Sequence, residues 1–218
     1  MAQESAWLQV VPEDRLAEAS LLTANAMIDT SSYAAIYQGD RLWRRDELAW
    51  LFEANFRIVR KHFPEAIKCH IGEDGVMQCC FMILPADYRI SLWDKLWHGL
   101  LLLPLRAGFD TLGRLMAIGD FSDGLNDAAF GDRQRLRLER MAVHPSCQGK
   151  GIGTKSLGEA LKEADALGLP VTLGTNEEIN VRFYSKLGFQ VVSETEYAPG
   201  TPEAFPTWIM VREPASSS

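Results

Sequence analysis

Several things are scarce in this sequence, and each scarcity excludes something. Among 218 residues only four are cysteine (Cys69, Cys79, Cys80 and Cys147) and four are histidine. No two cysteines form a CxxC pair and no histidine stands at ligand spacing from one, which argues against structural zinc and predicts a chain without a metal. Cys79 and Cys80 sit side by side in an apolar run, as buried free thiols do. Cations are in deficit, 22 Lys and Arg against 29 Asp and Glu, and the net charge of -7 speaks against a nucleic-acid partner. No apolar run is long enough for a bilayer. The best, LWHGLLLLPLRAGF from Leu96 to Phe109, falls short of the required ~20 residues and is interrupted by Pro104. A buried helix or pocket wall is the favoured reading of that run, and an interfacial membrane contact the lesser one. The opening MAQESAWLQVVPED has neither a basic region nor an apolar core of signal-peptide length, and no Asn-x-Ser/Thr sequon occurs. These absences together predict a reduced, cytoplasmic protein with no membrane partner.

What is present is ordinary globular material, 47% hydrophobic and 23% charged, enough for a sizeable core. A helix start at Val11–Asp14 precedes an apolar period in Leu16, Ala19, Leu22 and Ala26. Arg45 to His62 repeats that period, and Pro64 ends it. The period then shortens. Ala66–Ile71 and Val76–Leu84 have strand length, with Gly72-Glu73-Asp74-Gly75 between them as a hairpin turn. Residues 87–131 mix helical signals with glycines, Pro104 and large apolar side chains. They are too apolar for a linker and read as a helical insertion. Arg135–Val143 is a strand, Gly153–Leu167 a helix closed by Gly168, and Val171–Leu173 a short buried strand. Asn180–Leu187 is a helix closed by Gly188, and strands follow at Phe189–Ser193 and Thr207–Arg212. The domain is expected over 8–212, with 213–218 a disordered tail.

The informative stretch is His144 to Ser156, HPSCQGKGIGTKS. Gly149, Gly151 and Gly153 alternate just where a helix begins, a costly choice unless the backbone must come close to something. A strand, a glycine loop and a helix start make an anion site of free N–H groups at the positive end of a helix dipole. Lys150 can add a charge and Thr154 a hydrogen bond. Three ligand classes compete. A P-loop needs glycine before its lysine, where this chain has Thr154. A dinucleotide site needs its third glycine one residue later. The pyrophosphate of coenzyme A is the third class.

Gln148-Gly149-Lys150-Gly151-Ile152-Gly153 fits the pattern [QR]-x-x-G-x-[GA], and Met141-Ala142-Val143-His144-Pro145 leads into it. Asn180-Val181-Arg182-Phe183-Tyr184-Ser185-Lys186-Leu187-Gly188-Phe189 fits the later pattern x-N-V-x-F-Y-x-x-x-G-F. In these motifs Arg135–Phe189 resembles the acyl-CoA-binding core of the GNAT superfamily of N-acetyltransferases. The C-terminal half also resembles puromycin N-acetyltransferase-like enzymes. The resemblance implies an α/β (α+β) fold: a mixed, mostly antiparallel sheet flanked by helices. It implies acetyl-CoA as co-substrate, and a primary amine of a small molecule as acceptor, attacking directly in a ternary complex. A peptide or protein amine, and a non-catalytic acyl-CoA sensor, are the alternatives. A homodimer is compatible with it.

The resemblance also implies roles. Met141, Ala142 and Val143 would hold the pantetheine arm and polarise the thioester. Gln148, Gly149, Lys150, Gly151, Ile152, Gly153 and Thr154 would hold the pyrophosphate, with Lys150 the preferred cation over Lys155 and Arg182. Tyr184 would contact the sulfur and act as the acid; without the motif it reads as an amphipathic core residue. Asn180, one turn before it, would bond the pantetheine or cap the helix. The position seven before the tyrosine, often asparagine in this family, is Glu177. Glu139 is the candidate base, directly or through water, against the plainer reading of a surface carboxylate beside Arg137 and Arg140. Trp43, Trp50, Tyr88, Trp93 and Trp97 would form an apolar acceptor slot or simply be core.

Overall fold

The computed structural model describes residues 7–215. Its strands are β1 (Gln9–Val10), β2 (Ile67–Ile71), β3 (Met77–Pro85), β4 (Leu136–Val143), β5 (Val171–Thr175), β6 (Gln190–Tyr197) and β7 (Phe205–Arg212). The helices are α1 (Leu16–Met27), α2 (Ser31–Ile36), α3 (Arg41–His62), α4 (Leu92–Trp97), α5 (Leu103–Ala107), α6 (Phe109–Phe130), α7 (Ile152–Ala166) and α8 (Glu178–Ser185). The seven strands form one sheet in the order β1-β2-β3-β4-β5-β7-β6. β4 and β5 run parallel; the other neighbours are antiparallel. The mixed, mostly antiparallel sheet flanked by helices is the expected fold.

Both faces of the central strands are covered. Cys80, Met82 and Leu84 of β3 pack with Leu16, Leu22, Phe56 and Val59 of α1 and α3. Cys79 and Phe81, pointing the other way, pack with Leu157, Ala160, Leu161 and Ala164 of α7. That double burial is why β3 reads as a continuous apolar run rather than an alternation. All four cysteines are free and buried. Burial pushes the Cys69 thiol up to about 11 and the Cys80 thiol to about 12, so neither is a ready nucleophile at neutral pH.

The hairpin turn at Gly72–Gly75 is closed by the Gly75 N–H donating to the Gly72 carbonyl at 2.9 Å. Two elements lie outside the sequence reading: β1, of two residues, and α2, of six. Both are shorter than a window in which periodicity can be seen. Of the expected tail, Glu213 pairs with Arg133, and the Ala215 N–H donates to Asp165 at 2.9 Å. Residues 216–218 lie outside the described residues.

The insertion is helical, as expected, but it is not buried. From Leu96 to Phe109 only Leu103 is buried, while Trp97, Leu105 and Phe109 are exposed. The expectation of a buried helix or pocket wall fails there. The short helices α4 and α5 rest on α3 by a few anchors and leave their apolar side chains outward. Asp94 accepts from Lys61 at 3.0 Å and lies 2.9 Å from His62, and Arg106 pairs with Glu47 at 2.9 Å. Among the described residues no helix is long and apolar enough to cross a membrane.

Candidate active site

The site begins where the sheet splits. β4 and β5 pair at Leu136–Val171 and Arg137–Thr172 only, and beyond that the strands separate. A cleft of about 1070 Å³ opens there, walled by Met141 and Val143 of β4 and by Leu173, Gly174 and Thr175 of β5. Backbone groups on the separated edges are released from the ladder and face the cleft, a natural seat for an extended amide-bearing chain.

The glycine loop sits at the mouth of the split. Gly149 and Gly151 adopt φ of 74° and 79°, which a residue with a Cβ rarely adopts. A Cβ at either would meet nothing within 4 Å, so they are there for backbone shape and leave the space above them open. Gly153 has the opposite reason. A Cβ there would lie 2.9 Å from Val143 Cγ2 and 3.3 Å from Met141 Cε, so this glycine lets α7 press against β4. The alternation of three glycines thus combines two turns with one close contact. Gly151 is the N-cap of the 15-residue α7 and has no side chain to offer, leaving the first N–H groups to point outward at the positive end of the dipole. The arrangement suits a pyrophosphate. Gln148 donates to the Val143 carbonyl at 3.4 Å, tying the loop to the strand end.

Gln148, Gly149, Gly151, Ile152, Gly153, Thr154, Met141, Val143, Asn180, Tyr184 and Glu139 all line the cleft. Two expected contacts do not. Ala142 points to the other face, packed in the α1–α3 core, so its side chain is no part of the cleft. Lys150 is exposed and off the cleft wall. Of the other cations, Lys155 lies 3.5 Å from the Trp7 ring centroid and Arg182 pairs with Glu178 at 2.6 Å.

Tyr184 is 8% exposed and packed edge-on between Phe183 and Phe189. Burial, with a smaller contribution from the nearby Cys79, raises its pKa well above the usual phenol value. The hydroxyl therefore stays protonated at neutral pH. Asn180 is not the N-cap: α8 starts at Glu178, and Asn180 Nδ2 donates to Thr175 Oγ1 at 3.1 Å. Glu177 has a role no motif indicated. Its Oε1 accepts from Ser31 N–H at 2.9 Å and Ser31 Oγ at 2.8 Å, fastening the start of α2 to the rim of the cleft.

The candidate base needs correction. β4 carries a bulge: Cys80 faces Ala142 and Met82 faces Glu139, so Arg140 and Met141 together oppose Phe81. Arg140 has φ of 54° and swings over Phe52 of α3 at 5.3 Å. Glu139 is thereby held by Arg137 on one oxygen and by Arg140, at 2.7 Å, on the other. Burial pushes its pKa up, but the charges and hydrogen bonds of Arg140 and Arg137 outweigh burial and leave it lowered. A carboxylate so held is a poor direct proton acceptor. The reading of Glu139 as an ion-pair partner of its two sequence neighbours fits better.

The aromatic slot is also corrected. Trp43 and Trp50 pack against the α2–α3–α6 core, Trp93 and Trp97 are exposed, and none of the five aromatics lines the cleft. Its far end is built instead from Met27, Tyr33 and Ile36 on one side and from Leu115, Ile118 and Asp123 of α6 on the other. Among the described residues no group of three or more His, Cys, Asp or Glu side chains could hold a metal.

Residues 115–191 match the family model for the acetyltransferase (GNAT) domain. The fold agrees beyond that stretch. A Corynebacterium glutamicum structure, described as histone acetyltransferase HPA2 and related acetyltransferase, superposes with a TM-score of 0.63 at 13% identity, covering 97% of each chain. Arylalkylamine N-acetyltransferase 2 from Aedes aegypti superposes at 0.58 and 14% identity, covering 95% of this chain and 98% of that one. The Salmonella typhimurium protein yncA, solved with its cofactor acetyl-CoA, gives 0.55 and 17%, covering 97% and 95%. In sequence, 62 residues are 40% identical to tRNA(Met) cytidine acetyltransferase TmcA of Haemophilus influenzae, over 28% of this chain and 9% of that protein. The chain thus carries a stretch similar to the GNAT acetyltransferase domain, and its fold is that of these solved acetyltransferases, one of which was solved with acetyl-CoA.

Proposed function

We propose that this chain transfers an acetyl group from acetyl-CoA to a primary amine of a small molecule, by direct attack in a ternary complex. The observation that carries the reading is the coincidence, in one cleft, of an anion-binding helix start, a split pair of parallel strands and a buried protonated tyrosine. The tight Gly153 contact and the open space over Gly149 and Gly151 fit a pyrophosphate laid on the loop. The free edges at Met141 and Val143 fit a pantetheine arm. A nucleotide triphosphate fits less well, since Thr154 stands where a P-loop needs the glycine before its lysine.

The bound donor supplies an activated acetyl carbonyl. The chain's own residues then do three things. The strand edge and loop hold the donor straight, so that an amine in the far half of the cleft approaches in one direction. A C–N bond forms as the C–S bond breaks, and Tyr184 gives the proton the departing sulfur needs. The amine must lose a proton first. With Glu139 held by two arginines and Glu177 by Ser31, that proton leaves through water in the open cleft, and solvent restores the phenol. No enzyme nucleophile is required, in keeping with the raised pKa of the buried thiols. Four free buried cysteines suit the reducing cytoplasm.

Thiol release from acetyl-CoA, followed across a panel of small primary amines, tests the reading. Turnover dependent on an amine, with the N-acetyl product found by mass spectrometry, is the expected result. Absence of amine-dependent thiol release across the panel, in protein that binds acetyl-CoA, would favour the non-catalytic sensor.

A further inference from the structure

A second, smaller cavity of about 280 Å³ is bounded by α3, β3, β4 and the segment leading from β3 into α4. Asp123, Arg137, Glu139 and Arg140 line both this cavity and the large cleft, so the two share one wall. Val59, Met82, Leu84 and Ile90 make its apolar lining. Its charge is one-sided: Arg89, Lys95, Arg137 and Arg140 stand against Asp123 and Glu139. Glu139 serves two arginines at once. Asp123 stands 3.9 Å from Arg89 and 4.0 Å from Arg137, the outer limit of an ion pair. Lys95 is left over, because its neighbour Asp94 is taken by Lys61 and His62. With both acids of the lining fully used, two of its four cations remain uncompensated, on a chain whose net charge is -7.

We propose that this cavity binds a small organic carboxylate with an apolar body. Two buried donors of lining residues, Arg140 Nε and the Tyr88 hydroxyl, have no hydrogen-bond partner. Such orphans are costly, and a bound acceptor removes the cost. Arg140 is brought here at a further cost. The bulge holds it at φ of 54°, rare for a residue with a Cβ, and so adds it to a face where regular alternation would leave only Arg137 and Glu139 of the charged residues. Arg89 is fixed at the rim by donating to the carbonyls of Ala86 at 2.8 Å and Tyr88 at 3.2 Å, bonds that leave its charge in place. Two carboxylate oxygens can accept from several of these donors at once. Val59, Met82 and Leu84, all buried, give the rest of the molecule an apolar seat, which inorganic phosphate would leave unused. The acid is either the tail of the acceptor, reaching the shared wall from the cleft, or a separate small molecule.

The test is calorimetric titration of the whole protein with 3-phenylpropionate and 4-methylpentanoate, each against its primary amide, at one ionic strength and without acetyl-CoA. The acids should bind at least about tenfold tighter than the amides, which lack the charge, and than acetate or inorganic phosphate, which lack the apolar body. Arg89→Ala and Lys95→Ala remove exposed side chains outside the core, and each should lower the acids' advantage about two- to fivefold, most at low salt. Arg140→Met should abolish it. No binding of the acids, equal binding of acid and amide or of phosphate, or an advantage unchanged in all three variants overturns the proposal. No turnover is needed, so this result stands or falls apart from the acetyl-transfer reading. Thiol release then separates the two sources of the acid. Phenylalanine and leucine exceeding phenethylamine and isopentylamine at least about tenfold as acceptors, with 3-phenylpropionate competing, makes the acid the acceptor's tail. A change of rate by 3-phenylpropionate at saturating amine makes it a separate ligand, and either result supports a carboxylate site.

Discussion

The two ends of the cleft are built on different terms. The donor end, from β4 through α8, is made of contiguous sequence whose backbone does the work. Three glycines shape a loop, a strand pair splits, and one tyrosine closes the far wall. The far end gathers α1, α2 and α6 from distant parts of the chain, and its walls are ordinary side chains. Backbone-defined sites leave glycine and spacing signatures. Sites made by side chains meeting across the fold leave none. In this molecule, the proposed donor site is written locally and the proposed acceptor site globally.

The sharpest way to break that contrast is at the tyrosine. Tyr184→Phe should lower kcat by about 10²–10⁴ while leaving the KM for acetyl-CoA within a few-fold, because one proton transfer is lost and the loop is untouched. Steady-state thiol release measures both. An unchanged kcat would return Tyr184 to a packing role. Because its pKa is raised, the wild-type rate should show no alkaline loss from this group below its ordinary value of about 10.

Next in size is the helix–strand contact. Gly153→Val adds atoms where a first Cβ already lies 2.9 Å from Val143, and should cost about 1–3 kcal/mol or more in unfolding free energy, with weaker acetyl-CoA binding. Gly151→Ala meets no neighbour but imposes φ of 79° on a Cβ, so its cost should be smaller, about 1 kcal/mol. Denaturant unfolding of the pair separates contact from conformation. Equal costs would contradict the division of labour among the glycines.

Glu139→Gln sharpens the comparison at the seam between the two ends. It leaves Arg137 and Arg140 without their shared partner and should destabilise by about 1–3 kcal/mol. The sign with pH follows from the lowered pKa. Below that of the unfolded chain, the carboxylate's stabilisation is present above pH ~4.3 and disappears as pH falls through the lower folded value. The gap between wild type and variant should therefore close in acid, as unfolding at a series of pH values would show. The smallest effect belongs to the acceptor end: Glu177→Gln weakens two bonds to Ser31 and should raise the acceptor KM a few-fold with acetyl-CoA affinity unchanged.

The legibility of the sequence follows the same line. The GNAT fold, the hairpin, the glycine loop and α7 were readable because each rests on short-range chemistry. The six-residue α2 was not, being too short for a period. The 22-residue α6 was hidden by Gly113, Gly119 and Gly124, each costing about 1 kcal/mol in a helix. Of the five aromatics, Trp43, Trp50 and Tyr88 pack against the core, the plainer of the two readings, while Trp93 and Trp97 are exposed: hydrophobicity says that a side chain seeks cover, but not whether the fold supplies it. The ion pairing of Glu139 was hidden by the bulge at Arg140, which brings that arginine onto the carboxylate beside Arg137. Asn180 failed as a cap because α8 begins two residues earlier.

The most direct measurement is thermal unfolding with acetyl-CoA, free CoA and ATP, each well above its dissociation constant. At a hundredfold excess over that constant, a ligand of the folded state adds about 2.7 kcal/mol, which is several degrees in midpoint. A rise with both CoA species and little with ATP is the result this account predicts. A rise with ATP alone, or with none of the three, would contradict it and leave the loop at Gln148–Gly153 an ordinary turn.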